Sequence, residues 1–153
     1  MPTFEHTVEI AAPIERVFAF DSNPGNWSRT MPSLRDLEII EETDNGARMR
    51  AMYKLLGITL DTDIELTIVE PNKHIAVTTE GSGMKGEIHN YFSETSAGTQ
   101  ITHRTDYEFG ESLRDRLLEP VATRYNNRQF KTHLQNTKDI IEAEVTAKTA
   151  SPA

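Results

Sequence analysis

Apolar and polar residues alternate along two stretches of the chain, residues 58–68 and 99–109. In the first stretch one parity is mainly apolar, whereas the other carries threonine and acidic residues. The apolar positions are Ile58, Leu60, Ile64, Leu66 and Ile68. A period of two residues is typical of a strand with one buried face. The two stretches therefore predict long strands that form walls of a curved antiparallel sheet.

The remaining pattern predicts further strands and two short helices. Alternation over residues 4–10 indicates a first strand, and Pro13 then begins a short helix that runs to about Phe20. A second helical turn around Trp27 to Met31 is stopped by Pro32. The later strands are predicted near 35–42, 46–55, 58–69, 73–80, 84–94 and 99–109. Turn formers such as Asn45-Gly46 separate them, which indicates an antiparallel meander of sequential hairpins.

A long helix is predicted from about residue 112 to Val145. Its apolar stripe is formed by Phe130, Leu134, Ile141 and Val145. Traced toward the N-terminal half, the same stripe meets the polar residues Thr123 and Asn127. Either these two residues border a partly wet cavity, or Pro120 kinks the helix and rotates its buried face.

The order of these elements predicts an α+β fold. We expect a curved seven-stranded antiparallel sheet wrapped around the long C-terminal helix, with two short helices after the first strand. The chain has 153 residues, a length typical of one domain. We expect a single ligand-binding domain over residues 3–145 and a frayed tail over residues 146–153.

Two histidines share the apolar parity of their strands, His6 on the first and His103 on the last. If these strands pair in antiparallel fashion, both imidazoles lie on one wall of the interior. Neutral histidine donates and accepts hydrogen bonds near pH 7, so each is a candidate ligand anchor or acid–base group. The ordinary interpretation, a core histidine bonded to a hydroxyl or to water, is favoured.

Composition excludes several classes of function. Sixteen basic residues against 24 acidic ones give a net charge of −8, which opposes binding to nucleic acid. The chain has no cysteine, and its five histidines show no close ligand spacing, so we expect no metal and no other cofactor. No apolar run approaches the ~20 residues of a membrane span, and the N-terminus does not follow the signal-peptide pattern. We therefore expect a cytoplasmic protein without stable membrane insertion.

The order of elements resembles the helix-grip superfamily (SRPBCC), which includes START domains, pollen-allergen proteins and polyketide cyclases. Four segments carry the resemblance: VEIAAPIERVFAF, SNPGNWSRTMP, ELTIVEPNKHIAV and AGTQITHRTDYEF. Thr30 departs from it, because many relatives have a second tryptophan there. The resemblance implies a cavity between sheet and helix for an apolar small molecule such as a lipid, polyketide or quinone.

Three functional hypotheses follow. The first is noncatalytic binding or transfer of such a molecule, with cavity contacts at Trp27, Met31, Tyr53, His103, Tyr107, Thr123 and Asn127. The second is a cyclase- or dehydratase-type enzyme that uses His103 and His6 as acid and base. The third is an interaction module that docks a protein or a membrane surface through Leu117, Val121 and Tyr125.

Overall fold

The computed structural model describes residues 3–55, 57–81, 84–110 and 113–150. Within them, one antiparallel sheet comprises β1 (Thr3–Ile10), β2 (Leu34–Thr43), β3 (Gly46–Leu55), β4 (Ile58–Glu70), β5 (His74–Gly81), β6 (Met84–Thr95) and β7 (Gly98–Phe109). The helices are α1 (Ile14–Asp21), α2 (Trp27–Thr30), which follows a 3-10 turn at Pro24–Asn26, and α3 (Leu113–Ala150). The predicted fold class is therefore confirmed.

The sheet order is β1-β7-β6-β5-β4-β3-β2, so the first and last strands are neighbours. They pair in antiparallel fashion with His6 directly opposite His103, which confirms the predicted pairing. Gly98 makes this junction possible. Its φ is +145°, and a Cβ there would lie 2.3 Å from the Ile10 carbonyl oxygen, so a side chain is excluded at the start of β7.

The inner face of the sheet packs against α1 and α3. On β4, Ile64 and Leu66 are buried while Asp63 and Glu65 are exposed, as the alternation predicts. Phe18 of α1 meets Phe92 of β6 edge to face, with ring centroids 5.1 Å apart. Burial of these apolar side chains supplies the driving force for folding, at roughly 25 cal/mol per Å².

Strand β2 forms the far edge of the sheet. Its pairing with β3 shifts register between Arg35 and Glu38 and again between Ile39 and Glu41. Asp36 lies between the first two of these residues with a φ of +53°. The strand is exposed along nearly all of its length. Its outer edge is therefore irregular and solvated.

The C-terminal half of α3 is hydrogen-bonded to the N-terminal segment of the chain. The backbone N–H of Ala11 donates to Glu142 Oε2 at 2.8 Å, and Lys138 Nζ donates to the Glu9 carbonyl oxygen at 2.7 Å. The bond from Ala11 and the bond from Lys138 lower the pKa of Glu142. The helix is continuous through Pro120 and extends past Val145 to Ala150.

Candidate functional site

A cavity of about 100 Å³ lies between the inner face of the sheet and α3, and it is partly open to solvent. Aliphatic, aromatic and thioether side chains form most of its wall, including Trp27, Met31, Ile75, Val77 and Phe130. An apolar cavity of about 150 Å³ holds a benzene molecule, so this space is close to the size of one small ring. A larger ligand would require outward movement of the wall.

A chain of buried hydrogen bonds crosses one part of the wall, and we call it the Asp21 network. It consists of Asp21, Asn90, His103 and Thr105. Asn90 Nδ2 donates to Asp21 Oδ2 at 2.7 Å, and Asn90 Oδ1 lies 2.7 Å from His103 Nδ1. Thr105 Oγ1 lies 2.6 Å from His103 Nε2. All four residues are at most 5% exposed.

The carboxylate fixes the protonation pattern of this network. Asp21 accepts from the Asn90 amide, so the Asn90 carbonyl oxygen faces His103 and His103 Nδ1 must donate to it. Nε2 is then an acceptor, and Thr105 donates its hydroxyl proton to that nitrogen. Burial, together with nearby His133 and His6, lowers the pKa of His103 to about 3. His103 is therefore neutral near pH 7, with both ring nitrogens bonded.

His133 of α3 approaches the other oxygen of the same carboxylate. Its Nε2 lies 3.7 Å from Asp21 Oδ1, and its Nδ1 lies 2.7 Å from Thr30 Oγ1. Thr30 donates its own proton to the Trp27 carbonyl oxygen at 3.1 Å, so His133 Nδ1 is the donor to Thr30. The position that departs from the helix-grip pattern, Thr30, thus orients a cavity histidine and leaves its Nε2 facing Asp21.

A second polar grouping, the Tyr53–Asn126 pair, joins β3 to α3. Tyr53 donates its hydroxyl proton to Asn126 Oδ1 at 2.6 Å. Asn126 is fully buried, and its Nδ2 donates to the Met84 sulfur at 3.8 Å. A thioether is a weak acceptor, so the amide N–H groups of Asn126 are poorly satisfied among the described residues. Burial raises the pKa of Tyr53 above its ordinary value, and Tyr125 adds to the effect.

Tyr107 of β7 lies beside this pair and also lines the cavity. A Cβ at Gly86 would lie 3.2 Å from two atoms of the Tyr107 ring and 2.8 Å from Thr79 Oγ1. Glycine at this position of β6 therefore lets the ring rest against the neighbouring strand. Burial raises the pKa of Tyr107 well above its ordinary value, and Tyr53 contributes in the same direction.

The structure brings five of the seven candidate contacts to the cavity: Trp27, Met31, Tyr53, His103 and Tyr107. Thr123 and Asn127 of α3 are half-buried and lie outside the cavity lining. Asn127 Oδ1 instead lies 2.6 Å from Nε2 of His6, which is itself half-buried and outside the lining. Contact of any of the seven candidate residues with a ligand stays a prediction.

The cavity lining also contains polar residues that were not predicted from the sequence: Asp21, Thr62, Thr79, Asn90, Asn126 and His133. The inward position of Asn90 could have been predicted from the sequence, because Asn90 shares the parity of Ile88 and Phe92. Asn126 follows from the helical spacing Ala122–Asn126–Phe130, all of which are buried. Asp21 and His133 had no local signal, since a turn-forming aspartate and a lone helical histidine are usually solvated.

The three residues of the predicted docking surface differ in exposure. Leu117 is 70% exposed and Val121 is 53% exposed. Tyr125 is half-buried, and its hydroxyl oxygen lies 2.7 Å from Ser33 Oγ and 3.1 Å from the Lys54 carbonyl oxygen. Leu117 and Val121 are thus available on the surface of α3, and contact with a partner stays a prediction.

Two other features bear on partners and cofactors. Across the described part of the chain, no group of three or more His, Cys, Asp or Glu side chains is placed to hold a metal ion. In the same ranges, no helix has both the length and the apolar character needed to cross a membrane.

Comparison with known proteins identifies the family. The profile of the family described as "Polyketide cyclase / dehydrase and lipid transport" matches residues 1–142. Because that match spans most of the chain, the protein belongs to this family. Comparison with curated protein sequences finds no significant match. Family membership supports hydrophobic ligand binding or a cyclase-type role.

Solved structures share the fold at low sequence identity. A Thermus thermophilus protein superposes with a TM-score of 0.82 at 17% identity, covering 94% of this chain and 99% of its own. The Zhui aromatase/cyclase from a Streptomyces species gives 0.80 at 18% identity, covering 94% of each chain. A START superfamily protein from Mycobacterium smegmatis gives 0.72 at 14% identity, covering 90% of this chain and 98% of its own. Such low identities establish the helix-grip fold alone.

Proposed function

We propose that this member of the polyketide cyclase/dehydrase and lipid-transport family binds or transfers an apolar small molecule in the cavity between sheet and α3. The observation that carries the proposal is the cavity itself, whose wall is mainly apolar and contains a few buried polar groups. Apolar burial supplies affinity at such sites, and the polar groups set orientation. A lipid, a polyketide and a quinone all offer the apolar body that this wall requires, and each is larger than one small ring, so its binding requires outward movement of the wall.

The first test is native mass spectrometry of gently purified protein, followed by organic extraction and identification of any bound molecule. The variant Val77→Phe places a larger side chain in the cavity wall and is expected to exclude the ligand. Val69→Phe is the matched control, because Val69 is 53% exposed on the neighbouring strand and lies outside the lining. A bound molecule in wild type and in the control, absent from Val77→Phe, supports the proposal.

The opposite result would be equally clear. If the extract contains no apolar molecule, and if toluene added to isotope-labelled protein shifts no NMR signal of cavity residues, the cavity does not bind apolar ligands. Thermal unfolding of all three proteins checks that the variants are folded, because overpacking a core costs about 1–3 kcal/mol.

A cyclase- or dehydratase-type reaction is the second candidate function, and the Asp21–His133 approach favours it. His103 is poorly suited to acid–base work, because its pKa of about 3 keeps it neutral and both of its nitrogens are bonded. His133 also lines the cavity, and its Nε2 faces the Asp21 carboxylate at 3.7 Å. Nδ1 donates to Thr30, so Nε2 is the nitrogen that takes a proton from a carbon next to a carbonyl group, and the C–H electron pair stays on the substrate as an enolate. The Asp21 carboxylate is placed to stabilise the imidazolium that forms.

Proton exchange tests this second function without knowledge of the natural substrate. Acetophenone in heavy water loses its methyl protons to solvent when a base removes and returns them through the enolate, and NMR follows the loss. We expect the protein to accelerate the exchange and His133→Gln to abolish the acceleration, whereas His103→Gln retains most of it. Exchange that is equal with and without protein, although acetophenone binds, would rule out this chemistry.

A further inference from the structure

The polar groups of the cavity restrict the charge of its ligand. The described lining includes no lysine and no arginine, and it does include the Asp21 carboxylate. The whole chain carries a net charge of −8. Burying an anion without a paired cation is costly, and a nearby carboxylate raises the cost. A free fatty acid or another carboxylate is therefore disfavoured in this space.

The hydrogen-bonding inventory restricts the ligand further. In the Asp21 network, the Asn90 amide and both His103 ring nitrogens already have strong partners. The Tyr53 proton is donated to Asn126 Oδ1. Among the described lining residues, the side-chain amide of Asn126 is the fully buried donor with the weakest partner, because it donates to a sulfur atom 3.8 Å away. A buried donor of this kind is stabilised by any good acceptor that enters the cavity.

We infer that the ligand is a neutral carbonyl compound, such as a ketone, ester or quinone, whose carbonyl oxygen accepts a hydrogen bond from Asn126 Nδ2. This inference rests on the proposed binding function and makes Asn126 the residue that determines specificity. The Tyr53 hydroxyl holds the Asn126 carbonyl oxygen, so the amide N–H groups stay turned away from Tyr53. Preorganisation of this kind improves both affinity and selectivity.

Three single-ring probes test separately whether the ligand needs an apolar ring, a carbonyl oxygen and a neutral charge. Acetophenone carries a neutral carbonyl group, α-methylstyrene has nearly the same shape with a CH₂ group in place of the oxygen, and benzoate carries a carboxylate. We expect measurable binding of the ketone and of the hydrocarbon by calorimetry or NMR titration. Benzoate is expected to bind at least about tenfold more weakly than acetophenone, because the described lining residues include no lysine or arginine.

The double variant Asn126→Leu with Tyr53→Phe removes the donor without leaving the Tyr53 hydroxyl unpaired. We expect the ratio of the hydrocarbon dissociation constant to the ketone dissociation constant to fall about tenfold relative to wild type. Gln135→Leu is the matched control: it also replaces an amide by leucine on α3, but Gln135 is exposed and outside the lining, so the ratio is expected to stay unchanged.

A spectroscopic readout on wild-type protein keeps the inference testable if the double variant does not fold. The infrared carbonyl stretch of bound acetophenone is expected at a lower wavenumber than in a hydrocarbon solvent, as for a hydrogen-bonded ketone. A hydrocarbon-like frequency, an unchanged ratio in the folded double variant, or benzoate binding as tight as that of the ketone would overturn the inference and leave apolar binding intact. Failure of all three probes to bind would overturn the proposed function as well.

Discussion

The cavity wall contains two polar groupings that differ in how completely their hydrogen bonds are made. In the Asp21 network, the carboxylate, the Asn90 amide, the His103 ring and a threonine hydroxyl form an unbroken chain. In the Tyr53–Asn126 pair, one strong bond is followed by a weak contact to sulfur. Buried polar groups destabilise a fold unless they are bonded, so the first grouping stabilises the architecture. The second retains donor capacity that a ligand can satisfy.

The largest expected effect is the pH dependence of the Asp21 network. The His103 pKa is about 3 in the folded protein and 6.5 in the unfolded chain, so the unfolded state binds the proton first as pH falls. The contribution of neutral His103 to stability is complete above pH 6.5 and is lost progressively toward pH 3, by about 5 kcal/mol over the whole window.

Urea unfolding at a series of pH values measures this loss in wild type and in His103→Gln. The variant lacks the titrating ring, so its unfolding free energy is expected to fall less steeply below pH 6.5. Parallel curves for the two proteins would contradict the depressed pKa. The ring-proton chemical shifts of His103 give an independent check, since they are expected to stay constant between pH 8 and pH 5.

The next effect comes from breaking the Asp21 network at its centre. Asn90→Ala removes two bonds at once, and leaves Asp21 Oδ2 and a buried imidazole N–H without the amide that bonds them. We expect a loss of about 3–5 kcal/mol in the free energy of unfolding, measured with urea at pH 7. Ser93→Ala, an exposed position on the same strand, is the control and is expected to change it by less than about 0.5 kcal/mol. A loss of under 1 kcal/mol at Asn90 would show that water replaces the missing amide.

Breaking the Tyr53–Asn126 pair is expected to cost less. Tyr53→Phe removes one hydrogen bond and leaves the ring in place, so the expected loss is about 1 kcal/mol in the same assay. The difference between the Asn90 and Tyr53 variants is the direct measure of the contrast between the two groupings. Equal losses would mean that both are structural, and would weaken the case for a ligand at Asn126.

A substitution on the surface of α3, outside both polar groupings, gives the reference change in the free energy of unfolding. Leu117→Ser is expected to change the free energy of unfolding by less than about 0.5 kcal/mol, because Leu117 is 70% exposed. If α3 docks a second copy of the chain through this surface, sedimentation of the wild type depends on concentration and the dependence disappears in Leu117→Ser and in Tyr125→Ser. Concentration-independent sedimentation of wild type excludes self-association through this surface.

Alternation and turn chemistry were sufficient to predict the fold, because each strand has one buried face and each hairpin has its own turn residues. The alternation pattern alone does not give the residue-by-residue register between neighbouring strands. The antiparallel pairing of β1 with β7 was nevertheless predictable from the order of strands. The buried face of α3 was harder to predict from the sequence. From Phe130, steps of three and four residues toward the N-terminus both stay near one face. The apolar stripe predicted Asn127 and Thr123 on the buried face, whereas the structure buries Asn126 and Ala122. One residue corresponds to a rotation of about 100°.

The Asp21 network was the least predictable part of the site. Its members come from α1, β6 and β7, and His133 reaches it from α3, so only the assembled fold brings them together. Tyr53, His103 and Tyr107 were identified because inward parity on a strand places a side chain in the interior. A residue at the end of a short helix, such as Asp21, offers no periodicity from which its direction could be predicted.

The irregular edge formed by β2 has a consequence for behaviour at high concentration. A regular edge strand presents unpaired backbone groups that attract another sheet and begin aggregation. Here two register shifts and the positive φ of Asp36 interrupt the row of donors and acceptors. Glu38, Glu41 and Glu42 add negative charge around the exposed Ile39 and Ile40. Edge-to-edge assembly into fibres through β2 is thereby disfavoured.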